Sequence, residues 1–336
     1  MRHADVIHPF SRNRRAFWRR DRVFMAALLI CFVVGLAGLA AATGWRETWA
    51  QIARLGPAQL LGLLALSCVN YLLRGLRWHV LARRLGLPLS VERNVIHFLG
   101  GFAMIVTPGR VGELVRMRWI ARETGWSFDR TAPLALVDRA ADLAAMAAIL
   151  AVVAMATATG GKMALAVAAA GLLAAWIVTH PPLLRALVTG LHATIGRMPR
   201  LFGRARRAAR AMERVVTPRA MLPVMGLGLL GWLAEGYAFH LLLAWMGADI
   251  GVMRAIGIFV FATLAGGLTG APGGLGGAEA AMIGLLALEG VPMETALPAT
   301  AIIRATTLWF ALAMGLVAFP LAERQSKRGR DVLEAD

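Results

Sequence analysis

Apolar residues along this chain gather in windows of about 20 with almost no charge, the length a helix needs to cross the hydrocarbon core of a bilayer. Six spans are expected, at 23–43, 58–81, 132–158, 163–180, 220–246 and 297–320. Two shorter apolar segments stop at turn residues. Val95–Thr107 ends at Pro108-Gly109, and Ala255–Leu268 ends at Thr269-Gly270-Ala271-Pro272-Gly273-Gly274. Each is either a whole span with a break or half of a re-entrant hairpin.

The arginines help to decide. Arg2, Arg12, Arg14, Arg15, Arg19, Arg20 and Arg22 place the N-terminus in the cytoplasm. A full crossing by 95–109 would put Arg110, Arg116, Arg118, Arg122 and Arg130 outside, against the positive-inside rule. A dip and return keeps that basic connection inside. Segment 181–219, with nine Arg and one Glu, lands inside by the same count, and so does the tail with Arg324, Lys327, Arg328 and Arg330. The pattern therefore predicts an all-α polytopic membrane protein with six spanning helices and two re-entrant hairpins. A basic cytoplasmic tail (1–22) precedes one transmembrane domain (23–320), and a second cytoplasmic tail (321–336) follows it. Val23–Thr43 is too long for an ordinary signal segment and reads as a retained span.

Composition agrees. The chain is 58% hydrophobic and 16% charged, where a soluble domain carries nearer 25% charged residues. A net charge of +17 suggests nucleic acid, but the cations lie between apolar windows and set orientation, so no nucleic-acid partner is expected. Cys31 and Cys68 both sit in apolar windows, and the seven His residues are scattered. Neither a disulfide framework nor a metal site follows, and no cofactor is expected. No Ser/His/Asp set, P-loop or dinucleotide fingerprint appears, and the chain does not read as an enzyme. Pro182–Pro218 interleaves Arg with Leu, Val and Ala, either an amphipathic stretch on anionic lipid or a solvated basic loop.

An internal repeat emerges. Thr107-Pro108-Gly109-Arg110-Val111-Gly112 is similar to Ala271-Pro272-Gly273-Gly274-Leu275-Gly276, 164 residues on. About the same displacement relates Arg139 to Arg304 and Asn70 to Glu235. Halves of about 57–158 and 220–320 each run span, Pro-Gly turn, span, in opposite orientation. Paired interruptions in inverted halves point to a transporter's binding site.

The candidate site follows from these features. Non-helical backbone at membrane depth is tolerated only where protein or water covers it, so Pro108-Gly109 and Pro272-Gly273-Gly274 should face a cavity. The helix after each turn would aim its positive end there, which suits a lipid phosphate, and Arg110 would add a forked cation. The alternative is that these glycines only permit close packing. Ionisable residues inside spans are a further signal, since each is costly unless paired or hydrated. Glu235 lies mid-span. Asp138 and Asp142 share a helix face, with Arg139 in reach, and Arg304 lies two turns into the last span. These residues either form structural ion pairs or handle substrate. Arg74 and Arg77 are expected to snorkel to the inner headgroups.

At Thr107-Pro108-Gly109-Arg110-Val111-Gly112-Glu113-Leu114 and Pro272-Gly273-Gly274-Leu275-Gly276-Gly277-Ala278-Glu279-Ala280 the chain resembles the lysylphosphatidylglycerol synthase transmembrane-region family, also called flippase-like or uncharacterised protein family 0104. The resemblance covers roughly 20–320. It departs at Gly277-Ala278, where many members carry a larger residue and an Arg. It implies a stand-alone lipid flippase or lipid transporter of the bacterial inner membrane, without the transferase domain of bifunctional members. Membrane lipid is the implied partner, as an anionic phospholipid or another bacterial lipid, with room for a homo-oligomer. Arg110, Arg139 and Arg304 would then hold the phosphate, with Glu113, Glu235 and Glu279 gating or pairing with them. Two rivals stand beside this: an ion-coupled transporter of a small solute, and a structural partner of a lipid-modifying enzyme.

Overall fold

The structure, a computed structural model, describes residues 55–107, 111–157, 161–195, 199–213 and 215–333, with Gly38 and Ala53. The expected span 23–43 lies outside the described residues apart from Gly38, and Pro108, Gly109 and Arg110 lie outside them too. No strand occurs among the described residues.

Helix α1 (Pro57–Leu85) opens with proline in its first turn, where a missing N–H does no harm. The Gly56 amide donates to Gln59 Oε1 at 2.7 Å. Gly86 closes the helix in the left-handed region. Next come α2 (Val91–Gly100), capped by Ser90 Oγ on the Arg93 amide, a 3-10 turn (Gly101–Met104), and α3 (Val111–Thr124). The long α4 (Phe128–Ala156) leads to α5 (Gly161–Thr179), α6 (Pro181–Ile195) and α7 (Pro199–Met212). The second half contains α8 (Pro218–Trp245), α9 (Val252–Leu268), a 3-10 turn (Pro272–Gly274) and α10 (Gly277–Leu288). It ends with α11 (Met293–Arg304), a π turn (Ala305–Trp309) and α12 (Phe310–Leu333).

Among the described residues, four helices are long and apolar enough to cross a bilayer: 57–85, 128–156, 218–245 and the continuous 293–331. They coincide with four expected spans. The expected span 163–180 is helical but passes only together with α6, across a bend of 86°. α2, α3, α9 and α10 run 10, 14, 17 and 12 residues, each short of the roughly 20 a crossing needs. The second interrupted segment is therefore a pair of short helices about a turn, and the first places short helices on either side of 105–110. Segment 110–130, expected as a basic connection, is largely the helix α3. It is tied to α12 by Arg118 and Arg122 on Glu323, at 3.0 and 2.7 Å, and by the Trp119 indole donating to the same carboxylate.

Large apolar side chains cover the outside, including Leu61, Met155, Leu222, Leu268 and Leu288. That surface suits lipid and would be a liability in water. Inside, two apolar clusters are stacked along the long helices. One gathers Leu63, Leu150 and Phe239, the other Trp78, Leu134 and Val224. On α1 and α4 a band of buried polar residues falls between them, Ser67 to Arg77 and Asp138 to Asp142, and on α8 Glu235 is buried among residues of the first cluster.

Candidate functional site

The polar band exists because α8 leaves room for it. A Cβ at Gly231 would lie 2.6 Å from Asn70 Oδ1, and one at Gly228 would lie 3.0 Å from Arg77 Nη1. These two small residues let the polar face of α1 (Ser67, Asn70, Arg74, Arg77) pack inward. The expectation that Arg74 and Arg77 snorkel is thereby overturned. Both are buried and both meet α4 acids. Snorkelling loses because paired carboxylates one helix away offer a stronger interaction than a stretched path to the headgroups.

Those pairs form one network. Arg77 donates from Nε and Nη2 to Asp138 Oδ1 at 2.9 and 2.7 Å, and its Nη2 lies 2.8 Å from Asp142 Oδ1. Arg74 Nη2 donates to Asp142 Oδ2 at 2.8 Å, and the Trp232 indole donates to Asp142 Oδ1 at 3.2 Å. Arg139 reaches Asp138 at 2.8 Å, Asp142 at 3.3 Å and Glu113 at 3.1 Å. Three guanidinium groups thus face three carboxylates, and the network is close to neutral.

The second half carries a simpler counterpart. Arg304 Nε meets Glu279 Oε1 at 2.5 Å, and its Nη2 donates to the Gly273 carbonyl at 2.9 Å. In each half a glutamate in the first turn of the short helix after the Pro-Gly turn pairs with an arginine 25 or 26 positions later, on the long helix that follows. Arg304 also pins the turn itself. Gly270, Gly273, Gly274 and Gly276 all have positive φ, from 62° to 79°, a backbone that residues with a Cβ adopt at a cost. The π turn begins directly after Arg304, and the Tyr71 hydroxyl donates to its Thr307 carbonyl at 2.5 Å. Such insertions recur at functional sites.

A cavity of about 650 Å³ opens between the two turns and the polar band. Ligand pockets run from about 300 to 1,000 Å³. Of the residues expected at the site, Glu113, Arg139, Asp142, Glu235, Pro272, Gly273, Gly274 and Arg304 line it. Asp138 sits behind the lining on Arg77, and Glu279 acts on the cavity through Arg304. Pro108, Gly109 and Arg110 lie outside the described residues. Glu235 is buried, with no ion pair among the described residues.

Sequence reasoning missed Tyr71, Arg74, Arg116 and Trp232, all in the lining. Arg116 looked like one more cation in a basic connection. Its signal was positional: the glycine and aromatic residues of 98–102 (Phe98, Gly100, Gly101, Phe102) are suited to receive a guanidinium. Among the described residues no group of three His, Cys, Asp or Glu side chains converges as a metal site would require.

A family model described as "Lysylphosphatidylglycerol synthase TM region" matches residues 23–315. Two alignments to proteins named "UPF0104 membrane protein" from Methanothermobacter thermautotrophicus show 33% identity over 89 residues and 34% over 91. They cover 26% and 27% of this chain and the same shares of the relatives, so the chain spans about a quarter of the length of the curated relatives it matches.

Proposed function

The chain belongs to the lysylphosphatidylglycerol synthase TM region family, and from that premise we propose that it is a lipid flippase or lipid transporter whose cavity takes the headgroup while the tails stay in the bilayer. The observation that carries this reading is a charged, glycine-walled cavity inside a helical body with an apolar exterior. A polar headgroup crossing the bilayer needs partners throughout, because an isolated charge in hydrocarbon has none. The cavity offers arginines from both halves, Arg139 and Arg304, to one bound group. Arginine suits a phosphate because its planar fork binds two oxygens and stays charged.

In this reading the two turns are re-entrant hairpins, and six crossings carry the chain through a bacterial inner membrane with both termini in the cytoplasm. The four helices of spanning length and the shortness of α2, α3, α9 and α10 support it. The substrate class is an anionic phospholipid or another bacterial lipid. One observation favours a second reading, an ion-coupled transporter of a small solute: Glu235 is a buried cavity carboxylate without an ion pair among the described residues, suited to a coupling cation.

A headgroup-resolved flip assay in proteoliposomes tests the first reading. Flipping above the rate of empty liposomes is expected. Folded protein that leaves the rate unchanged, yet moves a polar solute, would transfer the case to the second.

A further inference from the structure

Among the described residues, the cavity is lined by four arginines: Arg74, Arg116, Arg139 and Arg304. Three are engaged by protein carboxylates, Arg74 by Asp142, Arg139 by Glu113, Asp138 and Asp142, and Arg304 by Glu279. Arg116 is different. It is only 4% exposed, has no carboxylate at ion-pair distance among the described residues, and its Nε and Nη1 have no hydrogen-bond partner. The charges around it, Arg74, Arg139, Asp138 and Glu113, are already paired with one another or with their neighbours.

What surrounds the guanidinium is aromatic. It lies 4.2 Å from the Phe98 ring centroid, 5.3 Å from Trp78 and 5.8 Å from Phe102. Gly101 packs flat against it, and a Cβ there would collide with Nε. Ring faces hold a cation in place without cancelling its charge. A buried cation with no anion is costly and persists where something else supplies the anion. The position is also built. Its box comes from α1, α2 and the first 3-10 turn, elements locked by the apolar cluster around Trp78, Phe98 and Phe102.

We propose that Arg116 is the anion-holding group of the cavity, presenting an uncommitted guanidinium to a phosphate, while Arg74, Arg139 and Arg304 shape the site through protein ion pairs. This rests on reading the cavity as a headgroup site, and it moves the binding charge from the arginines of the spans to α3. The ligand chemistry is a phosphate ester or free phosphate, whose oxyanions a guanidinium takes by charge-assisted hydrogen bonds.

The test uses the full-length protein in maltoside micelles, titrated with phosphatidylglycerol, with a neutral glycolipid lacking phosphate, and with inorganic phosphate, while thermal stability is followed. Wild-type protein should be stabilised by phosphatidylglycerol and not by the glycolipid. R116M should lose about tenfold or more in apparent affinity for phosphatidylglycerol, as when a charge-assisted hydrogen bond is removed. Its ligand-free melting temperature should be unchanged or higher, because a purely structural arginine would leave the opposite trace. Inorganic phosphate acting as well as phosphatidylglycerol, and equally dependent on Arg116, identifies a free phosphate as the ligand.

Wild-type binding by folded R116M overturns the proposal. So does unfolding of both R116M and R116K without ligand. If R116M alone unfolds, R116K decides, with weakened binding expected from a charge that lacks the fork and wild-type binding refuting the role. Flip assays separate this from the transport reading. Arg116-dependent binding without flipping by wild type removes transport and leaves the anion site. Normal flipping by folded R116M does the reverse.

Discussion

Replacing Asp142 by Asn tests whether the polar band is held by charge balance or by shape. The amide keeps nearly the same volume but removes one of three carboxylates that face Arg74, Arg77 and Arg139. Arg77 retains Asp138, and Arg139 retains Asp138 and Glu113. Arg74 loses the only ion pair shown for it among the described residues, keeping ring contacts to Trp232 at 5.0 Å and Phe98 at 5.7 Å. Breaking a buried pair by removing one partner costs about 3–5 kcal/mol. The ring contacts and the edge of the cavity soften the loss, so the low end applies, about 3 kcal/mol. At roughly 2 °C per kcal/mol, the lower figure for a large domain, the melting temperature in detergent should fall by about 6 °C.

R74M alone should cost less, near 1 kcal/mol, because Asp142 still has two guanidinium groups and an indole. The double variant R74M/D142N restores balance and should be less destabilised than the sum of the singles, by roughly 0.5–3 kcal/mol of coupling. A D142N protein within about 0.5 kcal/mol of wild type, or strict additivity in the double, refutes the charge-balance account.

Glu235→Gln should fold normally and lower transport in proteoliposomes, and a wild-type rate would make Glu235 a packing residue. Gly276→Ala, at φ 79° and ψ −52°, should lower stability by about 1–3 kcal/mol, read as a fall in melting temperature; no change would mean the turn relaxes freely. Arg139→Gln and Arg304→Gln should each slow flipping of anionic lipid in protein that still folds. Leaflet-resolved rates should show Arg304→Gln hurting entry from the outer leaflet more and Arg139→Gln entry from the inner. Symmetric effects would reject this asymmetry and mean that the two arginines, one from each half, serve the one cavity alike. In a Cys31/Cys68-free background, a cysteine at Trp126 should resist labelling from outside the cell, and external labelling would reject the inward hairpin.

Much of the frame was legible because membrane helices announce themselves by uninterrupted apolarity, as at 58–81 and 220–246. The turn at Pro272–Gly274 was legible because Pro and Gly interrupt such runs, and Asp142, Glu235 and Arg304 stood out because charge is rare inside spans. What was hidden is partner choice. Nothing local tells Arg77 that Asp138 waits 61 residues on, so an arginine near a helix end looks like one that reaches for headgroups. Arg116 was hidden for the opposite reason. Surrounded by Arg118 and Arg122, it shared their composition but not their face, and only packing turns it toward Phe98 while they turn toward Glu323.

The pairing of α1 with α4 also bears on how the chain is made. When α1 leaves the ribosome it carries Arg74 and Arg77 with no acid of its own in reach, and Asp138 is 61 residues behind Arg77. At about 5–20 residues per second, that gap lasts roughly 3–12 s. Two arginines raise the insertion free energy by up to about 5–7 kcal/mol on the translocon scale, the upper figure being that for the very centre of a span. A newly made α1 is therefore a poor guest in lipid by itself. It must wait beside the insertion machinery, or at the interface, until α4 emerges and the two helices enter as a neutralised pair.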